Sequence, residues 1–230
     1  MRTMSDVEVS EARVQEKPQE EVAAGPFGKW LQDMRASLRG TAGTDVPCGD
    51  CVGCCVSSYF IPIRFADKAA RERIPPKLLV RTSGMPEGDR IMGYREDGTC
   101  PMLDTGRRCT IYEHRPQTCR DYDCRIFAAA GIDAGGSDKH VINRRVRAWR
   151  FTYASEDERL THEAVRTAAS FVQERRSSFP GGRAPTAPTG IAVLAVKAYP
   201  VFLDPGVHEK SDEEIAMAII KASGAFDAGE

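Results

Sequence analysis

The chain has 230 residues, 41% of them hydrophobic, with 32 Lys and Arg against 33 Asp and Glu. That is enough apolar material to bury a core without staples, and a formal charge of -1 excludes a global field that would draw nucleic acid or an anionic membrane. The longest apolar run, IAVLAV from Ile191, is far too short to cross a bilayer, and the first residues lack the apolar core of a signal peptide.

Residues 1 to 24 are charged, Glu-rich and free of aromatics, too little apolar surface to offset the entropy of ordering. A disordered tail is expected there, ahead of a single domain over residues 25 to 230. From Pro26, FGKWLQDMRASLRG sets Phe27, Trp30, Leu31, Met34 and Leu38 at helical spacing and closes on Gly40, which predicts one amphipathic helix. Residues 45 to 130 hold every cysteine and are interrupted by Pro47, Pro62, Pro75, Pro76, Pro86, Pro101 and Pro116, so long regular elements are not expected. A short helix is predicted over 65–73, and IMGYRE, DG, TCPML reads as a small hairpin on an Asp-Gly turn. Two further helices are predicted, one from near Arg115 and one carrying CRIFAAAGI.

Beyond the cysteines, RVRAWRFTY alternates as a strand with Trp149, Phe151 and Tyr153 on one face. Ser155 and Glu158 then form a capping box opening a helix with Leu160, Ala164, Ala168, Phe171 and Val172 on its stripe. PGGRAPTAPTG is a loop. Residues 191–199 are apolar at nearly every position, so periodicity does not separate helix from strand; helix is favoured. A second capping box, Ser211 with Glu214, starts a last helix that buries Ile215, Ile219 and Ile220 and stops near Gly224.

The eight cysteines are Cys48, Cys51, Cys54, Cys55, Cys100, Cys109, Cys119 and Cys124. The compartment expected is the cytoplasm, where thiols stay reduced and close-set cysteines serve as metal ligands or catalytic groups rather than as disulfides. In CGDCVGCC the C-x2-C spacing occurs twice, sharing Cys51, and it lets a tight turn aim two sulfurs at one ion. Zinc and iron both accept tetrahedral thiolate, so spacing leaves two assignments open. In one, Cys48, Cys51 and Cys54 match the opening of a ferredoxin run and Cys100-Pro101 supplies its Cys-Pro, for an iron–sulfur cubane. In the other, eight thiols make two four-thiolate zinc sites, with adjacent Cys54 and Cys55 serving different ions. The C-x3-C-x2-C spacing of S-adenosylmethionine radical enzymes is absent.

CGDCVGCC followed by CPMLDTGRRCTIYEHRPQTCRDYDC resembles the YkgJ-like cysteine-cluster proteins, a family taken to chelate zinc or iron. The likeness covers residues 45 to 130, all eight cysteines, and Arg115, Pro116 and Arg120. It implies a metal ion or cluster as ligand through those eight thiols, with zinc or iron, including a [4Fe-4S] cluster, as cofactor. The cysteine arrangement is also similar to that of the flagellin lysine N-methylases, which implies an iron–sulfur-dependent protein-modifying enzyme as an alternative. A zinc-stabilised interaction module is another. No glycine-rich methyl-donor loop accompanies the cysteines.

Residues 95–125 contain six arginines and six acids, so four thiolates around a zinc would leave a buried charge of roughly −2 to be offset. Arg108, Arg115, Arg120 and Arg125 stand where hydrogen bonds around the metal could do this, and Arg115 and Arg120 belong to the family pattern. His114 lies near the cysteines but eight thiols suffice without it; His140, His162 and His208 are isolated, and His162-Glu163 lacks the second His of a metalloprotease helix. No cysteine stands apart as a nucleophile. KHVINRRVRAWR, with Lys139, Arg144, Arg145, Arg147, Arg150 and Trp149, is the one stretch that could meet phosphates and a base, on a chain whose neutrality argues against nucleic acid. The fold class expected is α+β: a small, irregular, metal-centred cysteine module at 45–130 with short strands, flanked by helices and followed by a helical part at 155–225.

Overall fold

A computed structural model of the chain describes residues 20–41, 43–44, 46, 51–182 and 184–229. The fold is α+β, with helices predominating over short strands. α1 (Phe27–Leu38) buries Phe27, Trp30, Leu31 and Met34, the stripe its spacing predicts. In front of it β1 (Val22–Pro26) pairs in parallel with β5 (Trp149–Thr152), Val22 opposite Trp149 and Pro26 opposite Thr152. The last residues of the expected disordered tail are therefore strand. Ala24 is buried, and its carbonyl accepts from Arg125 Nη1 at 3.0 Å, so backbone pairing orders a segment whose side chains are too polar to announce it. Residues 1–19, the rest of that tail, lie outside the described residues.

The cysteine module carries β2 (Ile61–Ile63), β3 (Leu79–Val80) and β4 (Arg90–Met92) in the order β2-β4-β3, antiparallel throughout. The expected Asp-Gly turn forms: Arg95 N–H donates to Thr99 O and Gly98 N–H to Arg95 O, both at 2.8 Å, with Gly98 at φ +80°. The expected hairpin does not. Met92 lies opposite Ile61 and Leu79 instead of residues beyond the turn, because this arrangement buries Met92 with Ile63 and Ile74 in a small core completed by Ala70, Met102 and Ile111. α2 (Lys68–Arg73), α3 (Gln117–Asp121) and α4 (Arg125–Ala130) fall where short helices are predicted, and Gly131 ends α4 in the left-handed region.

The second core is larger and is built by α1, α4, α6 (Glu156–Glu174), α7 (Pro188–Ala198) and α8 (Asp212–Ala228). The expected strand RVRAWRFTY is half helix. α5 (His140–Ala148) runs to Ala148, since Ile142 and Val146 lie one turn apart and both bury, and only Trp149 onward is extended. Phe151 and Tyr153 do share a face: their rings lie 5.4 and 6.2 Å from that of Phe27. In α6, Ser155 Oγ caps Glu158 N–H, while Glu158 Oε2 accepts from Ala154 N–H. Ala164, Ala168 and Val172 bury as predicted, but Leu160 is 48% exposed. Each four-residue step advances the stripe by about 40° around the helix, so at the first turns the buried positions are His162 and Val165.

α7 settles the ambiguous apolar run as helix, entered through Pro188 in its first turn. α8 opens with the complete capping box of Ser211 and Glu214 but passes Gly224 and ends at Gly229. The reason is Phe226, buried at 2% exposure under the guanidinium groups of Arg35 and Arg39, at 4.5 and 4.3 Å, which keeps the last turn helical. Ile220 is half-buried.

His162 is buried in the larger core, stacked on Phe27 at 4.4 Å, with Nε2 donating to Ala129 O at 3.1 Å and Nδ1 accepting from Tyr153 Oη at 2.7 Å. Burial, reinforced by nearby Arg166, depresses its pKa to about 4. The unfolded chain, with a pKa of about 6.5, then binds a proton that the folded chain refuses. The contribution of His162 to stability is expected to be constant above pH 7 and to fall as pH drops from about 6.5 to 4. The ceiling is about 3 kcal/mol, of which partial solvent screening leaves about 2. Urea titrations of wild type and His162→Gln across that range should show this slope in the wild type alone; equal slopes would remove His162 as its cause.

Candidate metal centre

The loop carrying the first cysteines is laid against α5 by its glycine. A Cβ at Gly53 would sit 3.3 Å from Ile142 Cα, so only glycine allows this approach without a shift. Gly53 N–H donates to Cys51 Sγ at 3.4 Å, and a 3-10 turn, Cys54–Val56, follows at once. Ser57 Oγ donates to Gly53 O at 2.5 Å, and the Lys139 ammonium, lying 4.5 Å from the Tyr59 ring centre, donates to Ser57 O.

Cys100 is drawn to this turn by its own backbone, whose N–H donates to Cys55 O at 2.6 Å. Cys109 lies in an isolated antiparallel bridge with Leu103, and Cys119 in α3, the helix anchored by Gln117 N–H to Asp67 Oδ1 at 2.9 Å. Cys55, Cys100, Cys109 and Cys119 are brought within electrostatic reach of one another. Burial pushes the Cys119 thiol up to about 12, and the charges of Cys55, Cys100 and Cys109 add to it, while Arg115 opposes. Burial also raises Cys100 and Cys109, each against one backbone N–H donor, that of Met102 and that of Ile111, and each is raised further by Cys55. Cys55 moves the other way, because the Cys54 thiol donates to it.

The remaining described thiols lie toward the larger core. Cys124 is 9% exposed and its Sγ accepts from the Trp149 indole N–H at 3.3 Å. Cys54 packs against the same core. Tyr122 and Tyr59 stand beside them, hydroxyl to hydroxyl at 3.0 Å; burial raises both phenols, and Cys54 and Cys124 contribute to each. Cys48 lies outside the described residues.

Of the predicted arginines, Arg115 lowers Cys109 and Cys119 through its charge while its guanidinium stacks 4.1 Å over Tyr112. Arg120 instead donates to Arg115 O and Glu113 O, at 3.1 and 2.7 Å, and so shapes the loop that presents Arg115. Arg125 pairs with Asp123 at 2.7 Å, and Arg108 lies at the surface beside Asp104. Arg95 was not singled out by sequence. It donates to Pro101 O and Leu103 O, at 2.8 and 2.9 Å, and lowers Cys100, yet only its place before the Asp-Gly turn hints at this. Trp149, read from sequence as a core or base-stacking residue, serves a cysteine. His114 closes a 3-10 turn, His140 is near Ser137 O, and His162 belongs to the core. His208 lies in the 3-10 turn Pro205–Glu209, in the C-terminal part. The basic run around α5 is tied locally: Arg147 to Asp133 at 2.5 Å, Arg150 to Glu21 at 2.9 Å, and Arg145 over Trp149 at 4.7 Å.

Among the described residues no three Cys, His, Asp or Glu side chains are gathered tightly enough to hold an ion as they stand. The donor set nevertheless fits a thiophilic cation. Burial and the charge of neighbouring thiols raise Cys100, Cys109 and Cys119, and a divalent ion would reverse that repulsion and favour deprotonation. Among the described residues no helix is long and apolar enough to cross a membrane.

Residues 47–143 match the model of a family described as a "putative zinc- or iron-chelating domain", the CxxCxxCC family, which is the family the cysteine pattern resembles. The match spans the cysteine module and ends in the first turn of α5. No curated protein and no solved structure matches the chain.

Proposed function

We propose that the chain binds zinc or iron through the thiolates of its cysteine module, and that Cys55, Cys100, Cys109 and Cys119 hold a metal between the two cores. The observation that carries this reading is that a 3-10 turn, a post-turn loop and a bridge bring Cys55, Cys100 and Cys109 to where their charges act on Cys119 in its helix. Four separate pieces of chain supply the sulfurs, so a bound ion would tie them together where short strands alone cannot. Arg115 and Arg95 supply positive charge beside the thiolates, and the N–H groups of Met102 and Ile111 donate to sulfur, as around thiolate-bound metals generally. Cys48, Cys51, Cys54 and Cys124 are proposed as the remaining ligands, Cys48 on its spacing to Cys51 alone. A reducing compartment, taken to be the cytoplasm, keeps all of them available.

Protein purified without air is expected to contain zinc or iron in stoichiometric amount, and Cys119→Ser to lose a large part of it. Acid-labile sulfide measured alongside separates an iron–sulfur cluster from ions held by thiolate only. Absence of both metals, or Cys119→Ser with undiminished metal, would overturn the assignment.

A further inference from the structure

α1 ends in two arginines one turn apart, Arg35 in its last turn and Arg39 at its C-cap, so both lie on one face of the helix. Aromatic rings and backbone hold them. The Arg35 guanidinium lies 4.5 Å from the Phe226 ring and 5.3 Å from that of Tyr199, and Arg39 lies 4.3 Å from Phe226 and donates through Nε to Phe226 O at 3.4 Å. The hydrogen bonds of Arg35, to Val196 O at 2.8 Å and Lys197 O at 3.5 Å, both use Nη1. Among the described residues its Nε–Nη2 edge, the fork that grips an oxyanion through two parallel bonds, therefore meets no protein acceptor. Neither arginine pairs with a carboxylate among the described residues, whereas Lys197, over the same ring, is neutralised by Asp227 at 2.6 Å.

The two charges line a cavity of about 460 Å³ together with Leu31, Gln32, Ala36 and Tyr199, a size within the range of roughly 300–1,000 Å³ usual for small-molecule sites. Its lining offers donors and an apolar wall but no acid. Glu158, which packs against Gly28 of the lining, is engaged in accepting from Ala154 N–H at 2.9 Å. We propose that this cavity binds a small organic phosphate, its phosphate held by Arg35 and Arg39 and its apolar or aromatic part laid against Leu31, Ala36 and Tyr199. A phosphate monoester carries close to two negative charges at neutral pH, which matches two guanidinium groups without a counter-ion, whereas a carboxylate carries one. Burial above all, and then the Arg39 charge, lowers the Arg35 pKa against the opposing effect of Tyr199. An anion beside both would remove a repulsion that the fold leaves standing. No lining residue lies in the segment matched to the chelating family, so the site goes beyond the metal-binding reading and does not rest on it.

The test is calorimetric titration of the reduced, full-length chain with phenyl phosphate, inorganic phosphate and benzoate in turn. The wild type is expected to bind one phenyl phosphate per chain, more tightly than inorganic phosphate, which lacks the apolar part, and than benzoate, which carries a single charge. Arg39→Gln should weaken phenyl phosphate by about ten- to a hundredfold, the loss of a hydrogen bond between charged groups. Lys29→Gln, which removes an exposed charge of α1 outside the lining, should leave the affinity unchanged. Should Arg39→Gln fail to fold by far-ultraviolet dichroism, Gln32→Glu, which sets a carboxylate on an exposed position of the lining, takes its place with the same direction of effect. No saturable binding by the wild type, or undiminished affinity in Arg39→Gln, would overturn the proposal. An equal loss in Lys29→Gln would overturn it too, since general attraction of charge would then account for the binding. Inorganic phosphate binding as tightly as phenyl phosphate would overturn the organic ligand, and benzoate binding as tightly would overturn the phosphate.

Discussion

Stripping the metal from the reduced chain with a chelator is expected to unfold residues 61–121 while α6, α7 and α8 stay packed. The strands of that region are two or three residues long, and its core has six buried side chains: Ile63, Ala70, Ile74, Met92, Met102 and Ile111. Its largest interior group is a methionine, and no aromatic ring is buried in it. Such a core is too small to offset the ordering of about 60 residues, each of which gives up roughly 1–2 kcal/mol of backbone entropy. Thiolate binding of zinc contributes about 10–16 kcal/mol at neutral pH, comparable with the whole stability of a domain at about 5–15 kcal/mol. The larger core has its own support in Phe27, Phe127, Val165, Ile191 and Ile219. Hydrogen exchange with and without chelator reads both halves. Protection should vanish at Ile63, Met92 and Ile111 and persist at Val165, Ala169 and Val196. Persistent protection in the first set would mean that the small core stands by itself, and loss in both would mean that the cores fold as one unit.

Asp123→Ala is expected to cost about 3–5 kcal/mol, more than any other single change outside the cysteines, because it leaves a largely buried charge without its partner. The Asp123 side chain is fully buried. Its oxygens accept from Trp30 Nε1 at 3.0 Å, from Arg125 N–H at 2.9 Å and from Arg125 Nη2 at 2.7 Å, and Arg125 reaches on to Ala24 O. One carboxylate thus joins α1, β1 and the start of α4, next to Cys124. Asp123→Asn keeps an acceptor for Trp30 and should lose less, about 1–3 kcal/mol. Asp123→Ala combined with Arg125→Leu should recover part of the loss, since the stranded charge is gone. Urea unfolding of the metal-loaded chains followed by tryptophan emission measures all three. A loss below about 1 kcal/mol for Asp123→Ala would show that water replaces the carboxylate and that the network is not what holds these elements together.

Local signals were legible where one element settles them. The stripe of α1, the caps at Ser155 and Ser211, the Asp97-Gly98 turn and the short helices around Arg115 and Phe127 follow from neighbouring residues alone. The misread elements each depend on a distant partner. β1 exists through Trp149 and Arg125, the end of α8 through Arg35 and Arg39, and β4 through Ile61 and Leu79. None of these partners lies within the window that periodicity can see.

The cysteine spacing, the interrupted module and the neutral charge were enough to determine by themselves the α+β class and the resemblance to a zinc- or iron-chelating family, because ligand chemistry resides in residue type and short separations. What lies beside each thiol was decided by tertiary structure. Cys55 and Cys100 meet through a backbone hydrogen bond across 45 residues, Cys124 meets Trp149 across 25, and Cys54 packs on the larger core while Cys100 and Cys109 pack on the smaller. Sequence separation sets which sulfurs can share a turn; only the packing of the two cores sets which ones face the same space.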